Sequence, residues 1–301
     1  MKEKKQASLS SKRKIGNLIT YIVLSLISIV WLIPFVCLLL QSFRSYIPGV
    51  EAAGGGTGLA GGMVTYLIPK VFSFDNYTWL FSGDSNFLQW YLNTFIIAFF
   101  VALIQTIIVL CTSYALSRMR FKGRQMLMKF WLVLGMFPGF LTMICLYFIL
   151  KQIGLTYDGA IGGLILVSVA SSGMMYYVCK GYMDTIPKAL DEAARIDGAS
   201  RARVFFIMTI PMCKPIVIYT ALTAFMAPWC DFMFAKMIAN NNALTKNVAV
   251  GMWDWIWNQD YSGYFTRFCA GGILVAVPIT ILFLCLQKYY VEGVTGGAVK
   301  G

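Results

Sequence analysis

This sequence predicts an all-helical membrane fold that crosses the bilayer several times, and three observations carry that expectation. The chain is 58% hydrophobic over 301 residues, with a mean hydropathy of +0.69, whereas soluble domains average about 45–50% apolar. Apolar runs of about 20 residues recur, the length at which a helix crosses the hydrocarbon of a bilayer. Lysine and arginine gather in alternate connections between those runs, as expected when positive residues are retained on the cytoplasmic side.

Residues 1–17 form a basic amino terminus with Lys2, Lys4, Lys5, Lys12, Arg13 and Lys14. An apolar run from Leu18 to Leu40 follows. A secretory leader has an apolar core of about 7–15 residues and a small-residue cleavage site. This run instead continues through Trp31 and Pro34 into Gln41, Ser42, Phe43 and Arg44, so it is expected to be a retained first span. The connection at 45–90 contains EAAGGGTGLAGG (Glu51 to Gly62), too rich in glycine to hold a helix and not followed by the GxxxxGK[ST] of a phosphate loop. Five further spans are predicted at Tyr91–Leu116, Leu127–Leu150, Gly159–Met183, Phe205–Ala235 and Phe268–Tyr290. Six spans make a membrane domain of residues 18–290 with a short tail at 291–301.

The second-to-third connection carries Arg118, Arg120, Lys122, Arg124 and Lys129, and the fourth-to-fifth carries Lys180, Lys188, Arg195, Arg201 and Arg203. With the basic amino terminus these are expected on the cytoplasmic side, which puts both termini there. The opposite connections hold far fewer positive residues. No strong internal repeat relates the two halves. Gly159/Gly163, Ser168/Ser172 and Gly272/Ala276 are small residues four apart and permit close helix packing. Pro34, Pro138, Pro215, Pro228 and Pro278 interrupt or adjoin spans, a pattern of static kinks or of a moving bundle.

Several function classes lose support. The chain has no histidine, which removes imidazole catalysis and the commonest zinc ligand. Its eight cysteines are scattered, mostly in apolar runs, without metal-binding spacing, so neither a metal site nor a catalytic cluster is expected. The net charge of +12 sits beside membrane segments, and the basic amino terminus lacks the interleaved aromatics of a nucleic-acid surface. Lipid is the expected partner of that charge, and nucleic acid is not.

The informative segment is 184–204, a polar stretch between spans four and five. Thr185-Ile186-Pro187 supplies a helix start. Asp184 with Lys188, Lys188 with Glu192, and Asp191 with Arg195 are spaced for i, i+4 pairing, each about 0.2–0.5 kcal/mol. Gly198 permits a left-handed stop and Ser200 can cap the helix that re-enters the membrane. The result is a compact knob whose small alanines admit a close partner and whose Glu192 can accept a charge-assisted hydrogen bond. A docking element and an ordinary surface helix fit these features equally well.

A resemblance decides between them. Glu192-Ala193-Ala194, three residues, Gly198, and then Pro211 after an apolar pair resembles in full spacing the EAA motif of ABC-type import permeases. Met208 and Ile210 stand where that pattern has Ile and Leu. NTFIIAF from Asn93, YALSRMRFKGR (Tyr114 to Arg124), IPKALDEAARIDGAS (Ile186 to Ser200) and LQKYYVEGVTGGAVKG (Leu286 to Gly301) look like the smaller membrane subunit of maltose-type carbohydrate importers. APWCDF (Ala227 to Phe232) is similar too, with Cys230 where asparagine is common.

The resemblance implies a multi-pass permease subunit of an ATP-driven oligosaccharide importer in the bacterial inner (cytoplasmic) membrane. Glu192, Ala193, Ala194, Gly198 and Pro211 would form or hinge a coupling helix seated in a separate ABC ATPase. The other implied partners are a second, larger permease and an extracytoplasmic sugar-binding protein. No phosphate loop occurs in this chain, so ATP and magnesium belong on the ATPase and this chain binds no cofactor of its own. Taking a two-state bundle from 1:99 to 99:1 needs about 5.5 kcal/mol of differential interaction, so one docking contact can decide coupling.

Trp229 and Asp231, placed in span five, are the substrate-path candidates: an aromatic face and a polar group suit a sugar, and an ionisable residue at membrane depth is a functional candidate by default. Asp231 could equally lie near the outer boundary, satisfied by water. The stretch MWDWIWNQDYSGY (Met252 to Tyr264) is expected as an external aromatic loop that meets sugar or the binding protein, or forms an interfacial belt. The tail either reaches into the ATPase or is disordered. An ion-coupled secondary transporter is the alternative, though its spans would offer little charge beyond Asp231 and Lys214.

Overall fold

The computed structural model describes residues 2–45, 68–69, 71–83, 85–240, 242–258 and 261–296. Side chains are described within 16–289, apart from 258 and 261–263. The glycine-rich stretch at 51–62, Asp260 and the last five residues of the tail lie outside the described residues.

Fourteen α-helices follow in order among the described residues: α1 (Lys2–Ser42), α2 (Asp75–Leu80), α3 (Phe87–Arg118), α4 (Arg124–Gly135), α5 (Gly139–Gln152), α6 (Ala160–Ala170), α7 (Gly173–Met183), α8 (Lys188–Ile196), α9 (Arg201–Arg203), α10 (Ile210–Met212), α11 (Lys214–Cys230), α12 (Met233–Ala239), α13 (Val248–Asn258) and α14 (Tyr261–Gly296). A 3₁₀ turn at Tyr157–Gly159 precedes α6, and a π-helical segment, Val204–Thr209, lies between α9 and α10. The only extended pairing among these residues is a single bridge between Arg44 and Phe72.

Among the described residues, three single helices are long and apolar enough to cross a membrane: Gly16–Ser42, Phe87–Arg118 and Tyr264–Tyr289. The predicted third, fourth and fifth spans are each a bent pair instead: Arg124–Gly135 with Gly139–Gln152 at 102°, Tyr157–Ala170 with Gly173–Met183 at 42°, and Arg201–Met212 with Lys214–Cys230 at 82°. The breaks follow from the sequence. Pro138 caps α5, and Pro215 stands in the first turn of α11, where it has no N–H to donate to the Pro211 carbonyl and so breaks the hydrogen-bond ladder from the preceding segment. Within the first segment of the 82° pair, Pro211 cannot donate to the Ile207 carbonyl, and the chain widens into the π turn just before it. The fifth span is also shorter than predicted. It ends at Cys230, and Met233–Ala239 forms the separate helix α12.

The chain forms two compact units, Met1–Trp79 with Gln259–Ile273, and Leu80–Asn258 with Leu274–Gly301. In the first, the end of α1 is tied down by Asn76, fully buried, whose Nδ2 donates to the carbonyls of Ser42 (3.0 Å) and Arg44 (2.6 Å) while its Oδ1 accepts from Thr266 (3.0 Å). The Arg267 guanidinium lies 4.1 Å from the Trp79 ring centroid. No part of the most apolar window of α1 is buried within the protein.

In the second unit α3 is the axis, packing on α6, α7, α11 and α13. Two apolar clusters form along it. One joins Ile97 and Val101 to Leu164, Phe234, Ile238 and Val250; the other joins Val109 and Tyr114 to Cys179, Met183, Phe205 and Ile216. At the Gly159/Gly163 pair the closest approach is to the preceding turn. A Cβ on Gly163 would stand 2.3 Å from the Leu155 carbonyl oxygen, so the small residue lets the chain fold back on its own preceding turn.

Candidate functional site

The knob predicted at 184–204 forms. Pro187 caps α8 with φ −56° and ψ 127°. At the other end Gly198 takes φ +84°, its amide donates to Arg195 O (3.1 Å), and the Ala199 amide donates to Ala194 O (2.9 Å). This is the paired closure of a Schellman turn, and it satisfies carbonyls that a helix end otherwise leaves bare. Ser200 then caps the next helix by accepting from the Arg203 amide at 3.3 Å.

The surface of the knob faces outward. Glu192, Ala193, Gly198 and Pro211 are exposed, Ala194 is half-buried, and Ile196 is 86% exposed at the end of α8.

None of the three predicted i, i+4 braces forms among the described residues, and Asp184 and Asp191 take other partners. Asp184 lies before α8, where it accepts from Ser117 Oγ (2.6 Å) and pairs with Lys180 (2.5 Å). Asp191 pairs with Arg118 Nε at 2.9 Å, with side chains 6% (Arg118) and 16% (Asp191) exposed. Arg118 Nη2 also donates to the carbonyls of Met183 (3.0 Å) and Ile186 (2.9 Å). Lys188, Glu192 and Arg195 form no ion pair among the described residues. Tyr114 adds a ring contact to Phe205 (4.8 Å) and a hydroxyl bond to Arg201 O (3.4 Å). The last turn of α3 therefore grips both flanks of the knob.

Burial of Asp184 works to raise its pKa, but the hydrogen bonds from Lys180 and Ser117, with the charges of Lys180 and Arg118, outweigh it and hold the carboxyl below its ordinary value. Sequence reasoning took Arg118 for a topology charge and did not single out Ser117. The available signal was the pair of acids at 184 and 191, seven apart, flanking a helix start.

The two substrate-path candidates are adjacent but differ in character. Trp229 is 3% exposed, packs on Tyr91 (5.1 Å between ring centroids) and Phe225 (6.0 Å), and its Nε1 has no hydrogen-bond partner. Asp231 is not inside the fifth-span helix. It lies just past Cys230 in extended geometry, before α12 begins at Met233. Its carbonyl accepts from Asn247 Nδ2 at 2.5 Å.

The aromatic stretch from Met252 is mainly helical, not a loop, because α13 runs through Asn258. Asp254, nearly buried, pairs with Lys246 (2.6 Å) and with Lys236, a three-charge cluster that spacing alone did not reveal. Trp253 and Trp257 stack at 5.7 Å and 15°, and both are exposed. Among the described residues no cluster of acids and cysteines could hold a metal ion.

Residues 108–295 match the family model described as "Binding-protein-dependent transport system inner membrane component". The galactooligosaccharides transport system permease protein of Bacillus subtilis (strain 168) is 33% identical over 98% of this chain and 99% of its own length. The maltodextrin transport system permease protein of the same organism is 34% identical over 97% and 99%. In fold, a bacterial ABC transporter involved in the import of the acidic polysaccharide alginate is similar, with a TM-score of 0.72, 20% identity, and 92% of this chain and 97% of that one covered. The matched segment holds the knob, the end of α3 that grips it and the bent pairs around it, and the chain belongs to the family of binding-protein-dependent transport system inner membrane components.

Proposed function

We propose that the chain is the permease subunit of an ATP-driven oligosaccharide importer in a bacterial inner (cytoplasmic) membrane, with six spans, both termini cytoplasmic, and α8 as the element that docks an ABC ATPase. The observation that carries this is the knob itself: Glu192, Ala193 and Ile196 exposed on a helix that the Arg118–Asp191 pair holds fast to α3. A helix that is bare outside and clamped inside passes force from a partner to the bundle axis. Glu192 would accept a cationic side chain of the ATPase, the alanines would admit its surface closely, and Gly198 with Pro211 would set the angle at which the chain re-enters the bundle. The partner would bind ATP with magnesium, and its closure would bias the bundle between inward-facing and outward-facing arrangements.

The further partners are a second, larger permease and an extracytoplasmic sugar-binding protein. The relatives named for galactooligosaccharides and maltodextrin support the substrate class. A similar fold occurs in the alginate transporter in complex with an alginate pentasaccharide-bound periplasmic protein (TM-score 0.66). Trp229, with its unpartnered Nε1, is the better candidate for sugar contact; Asp231 would position it through α12. The exposed Trp253–Trp257 pair would meet sugar or the binding protein. Residues 18–290 would form the transport domain, with the basic segment 1–17 and the tail 291–301 in the cytoplasm.

The test is coupling. In the reconstituted complex, Glu192→Lys or Gly198→Asp should abolish substrate-stimulated ATPase activity while the subunit still reaches the membrane. Unchanged stimulation in both variants would reject the docking role.

A further inference from the structure

A cavity of about 400 Å³ opens between the α3–α4 turn and α8, walled by Arg118, Arg120, Arg124, Lys188, Arg195 and Arg201. Two carboxylates border it, Asp191 and Glu192, and the first is already held by Arg118. The other five basic side chains make no ion pair among the described residues. Arg118 adds an independent sign: its side chain is 6% exposed, yet its Nη1 has no hydrogen-bond partner. A buried guanidinium N–H left unpaired is costly, and an anion in the cavity would satisfy it.

A second cavity, of about 710 Å³, shares Arg120 and Arg124 with the first but adds Phe121, Met126 and Met128. Phe121 and Met126 are 44% and 78% exposed. The two arginines stand where α4 begins, at the head of the bent apolar pair Arg124–Gln152, and no side chain caps the first-turn amides of that helix. A ligand occupying both cavities has an anionic head and an apolar body.

We propose that these joined cavities bind an anionic phospholipid, with its phosphate between Arg120 and Arg124 and its acyl chains along Phe121 and Met126. The apolar side of the second cavity, formed by Phe121, Met126 and Met128 beside its arginines, favours lipid over an acidic protein segment, which would find there nothing to match Met126. The site rests on α4 and α5 being in the membrane; the orientation proposed above fixes only which leaflet supplies the lipid. Because Arg118 and Arg195 border the same space, an occupied site would stiffen the root of α8.

The experiment uses the full chain with the subunits that co-purify, in nanodiscs of phosphatidylcholine containing phosphatidylglycerol, followed by detergent extraction and native mass spectrometry. Phosphatidylglycerol should be retained in preference to phosphatidylcholine. Arg120→Gln with Arg124→Gln should lower that retention about twenty-fivefold, since each basic residue at an anionic surface contributes roughly fivefold. Arg120→Lys with Arg124→Lys should keep most of it, and Lys151→Gln, remote from both cavities, should keep all of it. Thermal melting of each variant separates loss of the site from loss of the fold, and the preference of the unaltered chain stands without any variant. Equal retention of the two lipids, equal retention by the glutamine pair, displacement by inorganic phosphate, or expulsion of the lipid whenever an ATPase is bound would each overturn the proposal. A chain that keeps phosphatidylglycerol but never associates with an ATPase would instead overturn the proposed function and leave this site standing.

Discussion

At the scale of single residues, partly buried charges are the pressure points. Arg118 and Asp191 neutralise each other away from water, and removing one partner of such a pair leaves the other uncompensated at about 3–5 kcal/mol. Arg118→Met should therefore lower the melting temperature of the purified complex and reduce substrate-stimulated ATPase, although α8 itself is unchanged. Asp254 carries a heavier load because it faces two lysines. Asp254→Asn should destabilise more than Lys236→Met, which leaves the Lys246 pair in place; thermal unfolding of the two variants orders them.

Asp184 gives a pH dependence. Its pKa is lower in the folded protein than the ordinary aspartate value of 3.8, so the folded state binds the proton less readily. Its contribution is fully present at neutral pH and fades as the pH falls below about 4 towards the folded value. Melting curves should show Asp184→Asn less stable than the unaltered chain near neutrality, with the gap closing in acid.

Among the elements, α8 and α13 show two different demands on glycine. Gly198 needs a left-handed backbone, and a side chain there costs about 1–2 kcal/mol. Gly198→Asn should couple better than Gly198→Val, because asparagine enters that region more readily. Gly251 needs space instead: a Cβ would stand 2.0 Å from the Trp90 ring. Gly251→Ala should therefore cost about 1–3 kcal/mol of stability, and less in a Trp90→Leu background, a comparison that a double-mutant cycle in thermal melts measures.

The elements also show what the sequence made legible. Helix starts and stops at Pro187, Gly198 and Ser200 were readable because they are local: a fixed φ, a missing Cβ and a hydroxyl act within one turn. The bends at Pro138 and Pro215 could be located, but not their angles, because 102° and 82° depend on what the two halves pack against. Asp231 was placed inside a span because hydropathy averages over neighbours, whereas the break after Cys230 is fixed by Asn247 reaching across to the Asp231 carbonyl. The partners of Arg118 and Asp254 come from other helices, and no spacing rule encodes them.

For the molecule as a whole, α3 is the element that both ends share. Its first turns hold the segment before α13, with Trp90 Nε1 donating to Ala243 O (2.8 Å), Asn93 Nδ2 to Leu244 O (2.7 Å) and Lys246 O (2.9 Å), and the Val248 amide donating to Thr94 Oγ1 (2.8 Å). Its last turn holds α8. Thirty-two residues of unbroken helix, roughly 48 Å, thus join the aromatic helix to α8. A shift of the knob along this axis would reach the Trp90–Gly251 contact with little loss, because close-packed interiors transmit strain.

That grip also limits how such subunits can be recombined. Transplanting only the stretch from Pro187 to Ser200 into a foreign scaffold would strand Asp191 and discard the anchor beneath it. A working chimera has to carry Ser117 and Arg118 along with the graft, so the transferable module is two pieces of chain about seventy residues apart.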